Sequence, residues 1–153
     1  MNIAAQKYWD EFLGINPAIA SHTTYQVWHF GNTQEMALEL ASLVVSGRKF
    51  ATASLAAVNE IKPDETPIPD GYSVVTDFEG NPMCVIQTVE IKHLPFNEVD
   101  AQFAADEGEG DQTLAYWRDV HWRYFTSEAA ELGLNFDESS IVCCEPFRLL
   151  YPQ

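Results

Sequence analysis

Apolar residues recur at three- and four-residue spacing near both ends of the chain and crowd into short continuous runs between, so helical patterning flanks a strand-like middle. From Ile3 to Leu13, Tyr8, Trp9, Phe12 and Leu13 stand among Lys7, Asp10 and Glu11, which predicts an amphipathic helix ending near Gly14. Pro17 then opens a linker. A second helix is punctuated at both ends: Asn32 is placed to cap it with Glu35 three residues on, Met36, Ala37, Leu40, Leu43 and Val44 form its stripe, and Gly47 closes it.

After Thr52 the pattern turns to short β-type runs broken by Pro63, Pro67, Pro69 and Gly71. Tyr72–Thr76 and, beyond a Gly80-Asn81-Pro82 turn, Met83–Ile91 read as neighbouring strands. The second run is apolar at both parities, which suits a strand buried on both faces and leaves Glu90 as an edge or a cleft residue. From Leu94 the chain becomes helical and acidic. A short segment over Asn97–Ala105 leads into the turn Asp106-Glu107-Gly108-Glu109-Gly110-Asp111. A helix from Thr113 to Leu132 follows, capped by Asp111, striped by Leu114, Trp117, Val120, His121, Tyr124 and Phe125, and ended by Gly133. Ile141–Tyr151 returns as a last strand. Helices around irregular strands, without repeats, predict one α+β domain or a small barrel with helical decoration.

Composition narrows the function. With 46% hydrophobic residues the 153-residue chain can build a substantial core. Its formal charge of −15 repels polyanions such as long RNA, DNA and acidic membranes, so a small ligand or a short nucleic-acid fragment fits better. No apolar run approaches the roughly 18 residues of a membrane span, and the N-terminus lacks the basic and apolar regions of a secretory signal, so a cytoplasmic location is expected. Cys84, Cys143 and Cys144 show no CxxC spacing and read as small buried hydrophobes. His22, His29, His93 and His121 are scattered without paired metal-ligand spacing, so no metal and no cofactor is expected.

Only 8 residues are Lys or Arg, which makes Gly47-Arg48-Lys49-Phe50-Ala51-Thr52 conspicuous at a helix exit. Together with Trp28-x-Phe30-Gly31, Ser54, Gly71-Tyr72, Pro82-x-Cys84-x-Ile86 and the ordered run from Glu107 through Asp111, Leu114, Trp117-Arg118 and His121, it resembles the ASCH domain family. The resemblance spans Val27 to Tyr151. It implies a division into a helical extension over residues 1–26 and an ASCH domain over 27–153, with the PUA-like fold: a small β-barrel flanked by helices and a cleft beside the GxKxxT segment. It also implies one of two activities. Small bacterial members resembling this chain are amidohydrolases that remove the acyl group from 4-acetylcytidine and related acylated cytosines. Others are RNA- or nucleotide-binding modules, some with ribonuclease activity.

Carried over by position, the amidohydrolase set is Lys49, Thr52 and a carboxylate of the acidic turn. Amide hydrolysis needs a nucleophile, a base for its proton and an acid for the leaving amine. Thr52 suits the first, Lys49 the second if burial keeps part of it neutral, and Glu109 the proton relay, with Glu107 open as its alternative. The expected partner is a nucleoside, with Arg48, Ser54, Tyr72 and Glu107 as candidate substrate contacts. Extended RNA is disfavoured by the acidic charge, and the oligomeric state stays open. Trp117, Trp122, Tyr124 and Phe125 at helical spacing are assigned to packing, and His121 to a structural role.

Overall fold

In the computed structural model, which describes residues 1–153, the chain runs α1 (Ile3–Ile15), β1 (Tyr25–His29), α2 (Gln34–Val45), β2 (Ala51–Leu55), α3 (Ala56–Ile61), β3 (Tyr72–Thr76), β4 (Pro82–Thr88), β5 (Lys92–Pro95), α4 (Ala101–Glu107), α5 (Leu114–Glu131) and β6 (Ile141–Tyr151). Short 3-10 turns at Pro63–Glu65 and Phe96–Glu98 complete it.

The last strand organises the sheet. Val142–Pro146 of β6 pair antiparallel with β2, Ile141–Cys144 with β5, and the segment after Pro146, up to Tyr151, with β4. The change of partner falls next to Pro146, a residue with no N–H to give a ladder, while its carbonyl still accepts from the Val89 N–H at 2.8 Å. The resulting order is β1-β3-β4-β6-β2 with β5 on the other side of β6, and β1–β3 is the parallel pair. This is an α+β fold with flanking helices, but the expected barrel is an open sheet. Its end strands β1 and β2 do not pair; Gln26, Val27 and Trp28 of one and Thr52, Ala53 and Ser54 of the other line a common cleft instead.

Helices cover both faces of the β3–β4 pair. Ala5, Trp9 and Phe12 of α1 pack on Val74 and Val85, whereas Ala41 and Val44 of α2 pack beside Val75, Cys84 and Ile86, which alternation places on the opposite face. This accounts for the apolar parity expected of β4. Under α5, Trp117, Phe125 and Ala129 meet Leu55, Val58, Phe96, Val99 and Val142. Helix α1 is thus part of the packed body, and no residue of it lines the cleft. No helix is long and apolar enough to cross a membrane.

Several boundaries differ from the sequence reading for local reasons. Thr33, not Asn32, caps α2, its hydroxyl accepting from the Met36 N–H at 3.1 Å. Thr113, not Asp111, caps α5, while Asp111 accepts from the Thr113 N–H and hydroxyl and holds the cap in place. The run expected to continue to Ile91 stops at Thr88 and resumes as β5. Glu90 is exposed beside Lys92 at 3.7 Å and is not a cleft residue.

Trp9 is 2% exposed and contacts Phe12, Tyr25 and Tyr72. Trp9→Ala is expected to lower the unfolding free energy by about 3–5 kcal/mol through lost transfer energy and an unfilled cavity, measured by urea denaturation.

Candidate active site

The exit of α2 delivers Lys49 to the interior. Gly47 adopts φ +82°, its N–H bonds the Val44 carbonyl at 3.0 Å, and the Arg48 N–H bonds the Leu43 carbonyl at 3.0 Å, a Schellman closure that a residue with a side chain would strain. The Lys49 N–H bonds Leu43 as well, at 3.1 Å. Facing it, α4 ends at Glu107 and Gly108 turns the chain with φ +68°. A Cβ on Gly108 would lie 2.2 Å from the Arg48 carbonyl oxygen, so only glycine lets the two backbones come this close. Arg48 secures the approach: its guanidinium donates to the Gly108 carbonyl at 2.8 Å and the Gly110 carbonyl at 2.6 Å. Arg48 is therefore a staple of the acidic loop and is not among the cleft-lining residues.

Lys49 is 1% exposed, and its ammonium donates to the Ala51 carbonyl at 2.8 Å, Glu107 Oε1 at 3.1 Å and Glu109 Oε2 at 3.2 Å. The Phe30 ring lies 5.3 Å away. Burial pushes the lysine toward neutrality, but Glu107 and then Glu109 outweigh it, and its pKa is raised. All three donors are used and no lone pair is free. Lys49 is consequently a fixed cation, and the neutral amine required for the expected base is not the resting form.

The two carboxylates are set apart by their surroundings. Burial works to raise the Glu107 pKa, but Lys49 and His121 hold it well below the usual carboxylate range. Its second oxygen, Oε2, accepts from the Trp117 indole N–H and faces His121 Nε2 at 3.2 Å. Glu109 is raised, burial being the largest cause and Glu107 a further one, against the pull of Lys49. Its side chain is also the more accessible, 15% against 1% for Glu107. Glu107 is the permanent anion, and Glu109 is the carboxylate that can exchange a proton.

His121 belongs to this network. Its Nδ1 lies 2.8 Å from the Trp117 carbonyl, which only accepts, so that nitrogen carries a proton. Burial works against the imidazolium, yet Glu107 prevails and raises its pKa. Glu107, Glu109 and His121 offer three atoms within 4.8 Å of one another, the spacing of a metal site, but the Lys49 ammonium already bridges both carboxylates.

Above this cluster opens a cleft of about 890 Å³, a size suited to a small molecule. Lys49, Thr52, Ser54, Glu107 and Glu109 all line it, so five of the sequence candidates converge. Tyr72 does not: it packs with Trp9 and Phe12 under α1. Ser54 accepts from the Asn59 amide at 3.0 Å. Aromatic walls come from Trp28 and Tyr116. Glu145, not singled out in the sequence, sits across the β2–β6 ladder from Thr52, is 6% exposed and lines the same cleft. Burial raises its pKa to about 7 against the opposing hydrogen bond of Thr88 and the charge of Lys49. A lone glutamate in an apolar strand was the available signal. Its facing partner could not be read before the register of β6 was known.

A family model for the ASCH domain matches residues 26–151, well over half of the chain. The fold agrees with that of the ASCH domain from Lactobacillus crispatus JV V101, at 29% identity and a TM-score of 0.88 over 99% of this chain and 97% of the other. It also agrees with protein EF3133 from Enterococcus faecalis V583, at 31% identity and a TM-score of 0.86 over 99% and 92%. No curated protein matches the sequence. The chain belongs to the ASCH domain family, and its expected PUA-like architecture is the one found, with the sheet left open.

Replacing Glu107 by Gln leaves Lys49 and His121 short of their anion, and the expected cost near neutral pH is about 3–5 kcal/mol by chemical denaturation. Because the Glu107 pKa is depressed on folding, its stabilisation is complete above its ordinary value of 4.5 and fades as pH falls toward the folded-state value. The gap between the wild type and Glu107→Gln should therefore narrow below that pH. His121, with a raised pKa, adds stability that is complete below 6.5 and is lost as pH rises through its folded value.

Proposed function

We propose that this ASCH domain is an amidohydrolase that removes the acyl group from 4-acetylcytidine or a related acylated cytosine nucleoside. The observation that carries the reading is the buried Lys49 ammonium gripped by two carboxylates of unequal basicity at one end of a small-molecule cleft. That arrangement supplies a base, an electrophile and a water-poor setting in one place.

Thr52, half-buried on the cleft wall, is the nucleophile. Its hydroxyl passes a proton to Glu109 as the oxygen bonds the acyl carbon and the carbonyl electrons move onto the carbonyl oxygen. Protonation removes the charge with which Glu109 holds Lys49, which frees an N–H to face the new oxyanion. The oxyanion collapses, the bond to the cytosine N4 breaks, and Glu109 returns its proton to the departing amine. Water then attacks the acyl ester of Thr52 with Glu109 again as base, releasing the acid and restoring the hydroxyl. Glu107 keeps Lys49 and His121 charged throughout.

Charge speaks against a polynucleotide-binding or ribonuclease role. Glu39, Glu65, Glu128 and Glu131 add to the buried Glu107 and Glu145 and the partly buried Glu109 along the cleft. Its basic residues are engaged: Lys49 with Glu107 and Glu109, Lys62 with Glu65 at 3.9 Å, and Arg123 with Asp119 at 2.8 Å. With every lysine and arginine of the cleft beside a carboxylate, the excess of glutamates disfavours a phosphate, and an uncharged nucleoside meets no such repulsion.

Purified protein incubated with 4-acetylcytidine should release cytidine. Glu109→Gln should lower kcat by roughly 10²–10⁴-fold in protein shown to be folded by circular dichroism, with some loss of stability because Lys49 loses one of its two anions, and Thr52→Val should lower kcat similarly. Absence of release by the wild type, or full activity in Glu109→Gln, would refute the assignment.

A further inference from the structure

Glu145 takes no part in the chemistry above, and its placement is unusual for a residue with only structural work. It lies on β6 directly across from Thr52, so a substrate whose acyl carbon is beside Thr52 brings its heterocycle to the neighbouring wall. One oxygen is spoken for: Oε2 accepts from the Thr88 hydroxyl at 2.6 Å. Oε1 has no partner within the protein, and since no buried polar side-chain atom lacks a hydrogen bond, Oε1 is open to the cleft. No lysine, arginine or histidine forms an ion pair with Glu145, in contrast to Glu107 and Glu109.

We propose that Glu145 is the residue that reads the substrate's ring: as a carboxylic acid it donates from Oε1 to the pyrimidine acceptors, ring N3 or the O2 carbonyl, and so sets specificity for a cytosine-type heterocycle. The inference rests on the amidohydrolase reading and names its base-recognition element. The Thr88 hydroxyl, by donating to Oε2, makes that atom the carbonyl oxygen and leaves the acid proton on Oε1, where the ligand lies. A carboxylate there would present only lone pairs to the lone pairs of N3 and O2 and would repel them. The charged group acting on Glu145 from a neighbouring element is the Lys49 ammonium, which favours the carboxylate; Cys143 on the same strand stays a neutral thiol, its pKa pushed up to about 11. Burial outweighs the lysine and keeps the acid populated near neutral pH.

A steady-state comparison of wild type, Glu145→Gln and Glu145→Leu on 4-acetylcytidine at pH 6 and pH 8.5 tests this, with circular dichroism to establish that each is folded. Wild-type KM should rise severalfold at the higher pH as the donor is lost. Glu145→Gln, whose amide always donates, should rescue binding and give a KM that does not move with pH. Glu145→Leu should raise KM by about 5- to 150-fold at pH 6, as for a lost buried hydrogen bond, with kcat changed far less. A wild-type KM that is flat with pH, or a folded Leu variant with wild-type KM, overturns the inference while leaving deacylation intact. A wild type that releases no cytidine refutes the underlying reading instead, and the two failures are told apart by that one control.

Discussion

One buried ammonium sets the terms for everything around it. Lys49 is nearly inaccessible to solvent, and a cation there is tolerable only if anions and dipoles replace the lost water. Glu107, Glu109 and the Ala51 carbonyl do so at 2.8–3.2 Å. That requirement brings the exit of α2 against the exit of α4, demands glycine at positions 47 and 108, and gives Arg48 its work as a clamp on the loop carbonyls. It also explains the stacking of His121 on Trp117 at 4.2 Å, since both direct N–H groups at the anion that balances the lysine.

Two ammonium- or imidazolium-type groups facing two carboxylates make a cluster close to electrical balance, yet the members are not equivalent. Glu107 receives the indole, the imidazole and the ammonium, while Glu109 shares only the ammonium and lies nearer to solvent. Identical side chains two residues apart are thereby driven to opposite pKa shifts, the separation that acid–base chemistry uses. The open sheet contributes the space. Because β1 and β2 do not pair, their facing residues line a hollow over this cluster, and β6 brings a third carboxylate to its wall.

Much of this was legible in the sequence, and the boundary of legibility is physical. The helices α1, α2 and α5 carried periodic stripes, and the Lys49, Thr52 and acidic-turn elements stood out against a cation-poor chain. Polarity could not reveal the ionisation of Lys49, because that depends on how many anions reach it after folding. The sequence suggested a lysine base, and after folding that lysine's ammonium bridges two carboxylates. Arg48 and Tyr72 looked like ligand contacts because exposed basic and aromatic residues often are; one is spent on loop carbonyls and the other on α1. Glu145 escaped notice because its place opposite Thr52 follows from strand register, and β1 and α3 because five- and six-residue elements hold too few positions to display a period.

The charge of Lys49 can be read from the ¹⁵N chemical shift of its Nζ in a pH titration of the folded protein. An ammonium signal, slow to exchange with water, should persist from pH 6 to beyond the ordinary lysine value of 10.5. A neutral amine at pH 7, or a midpoint well below 10.5, would contradict that charge.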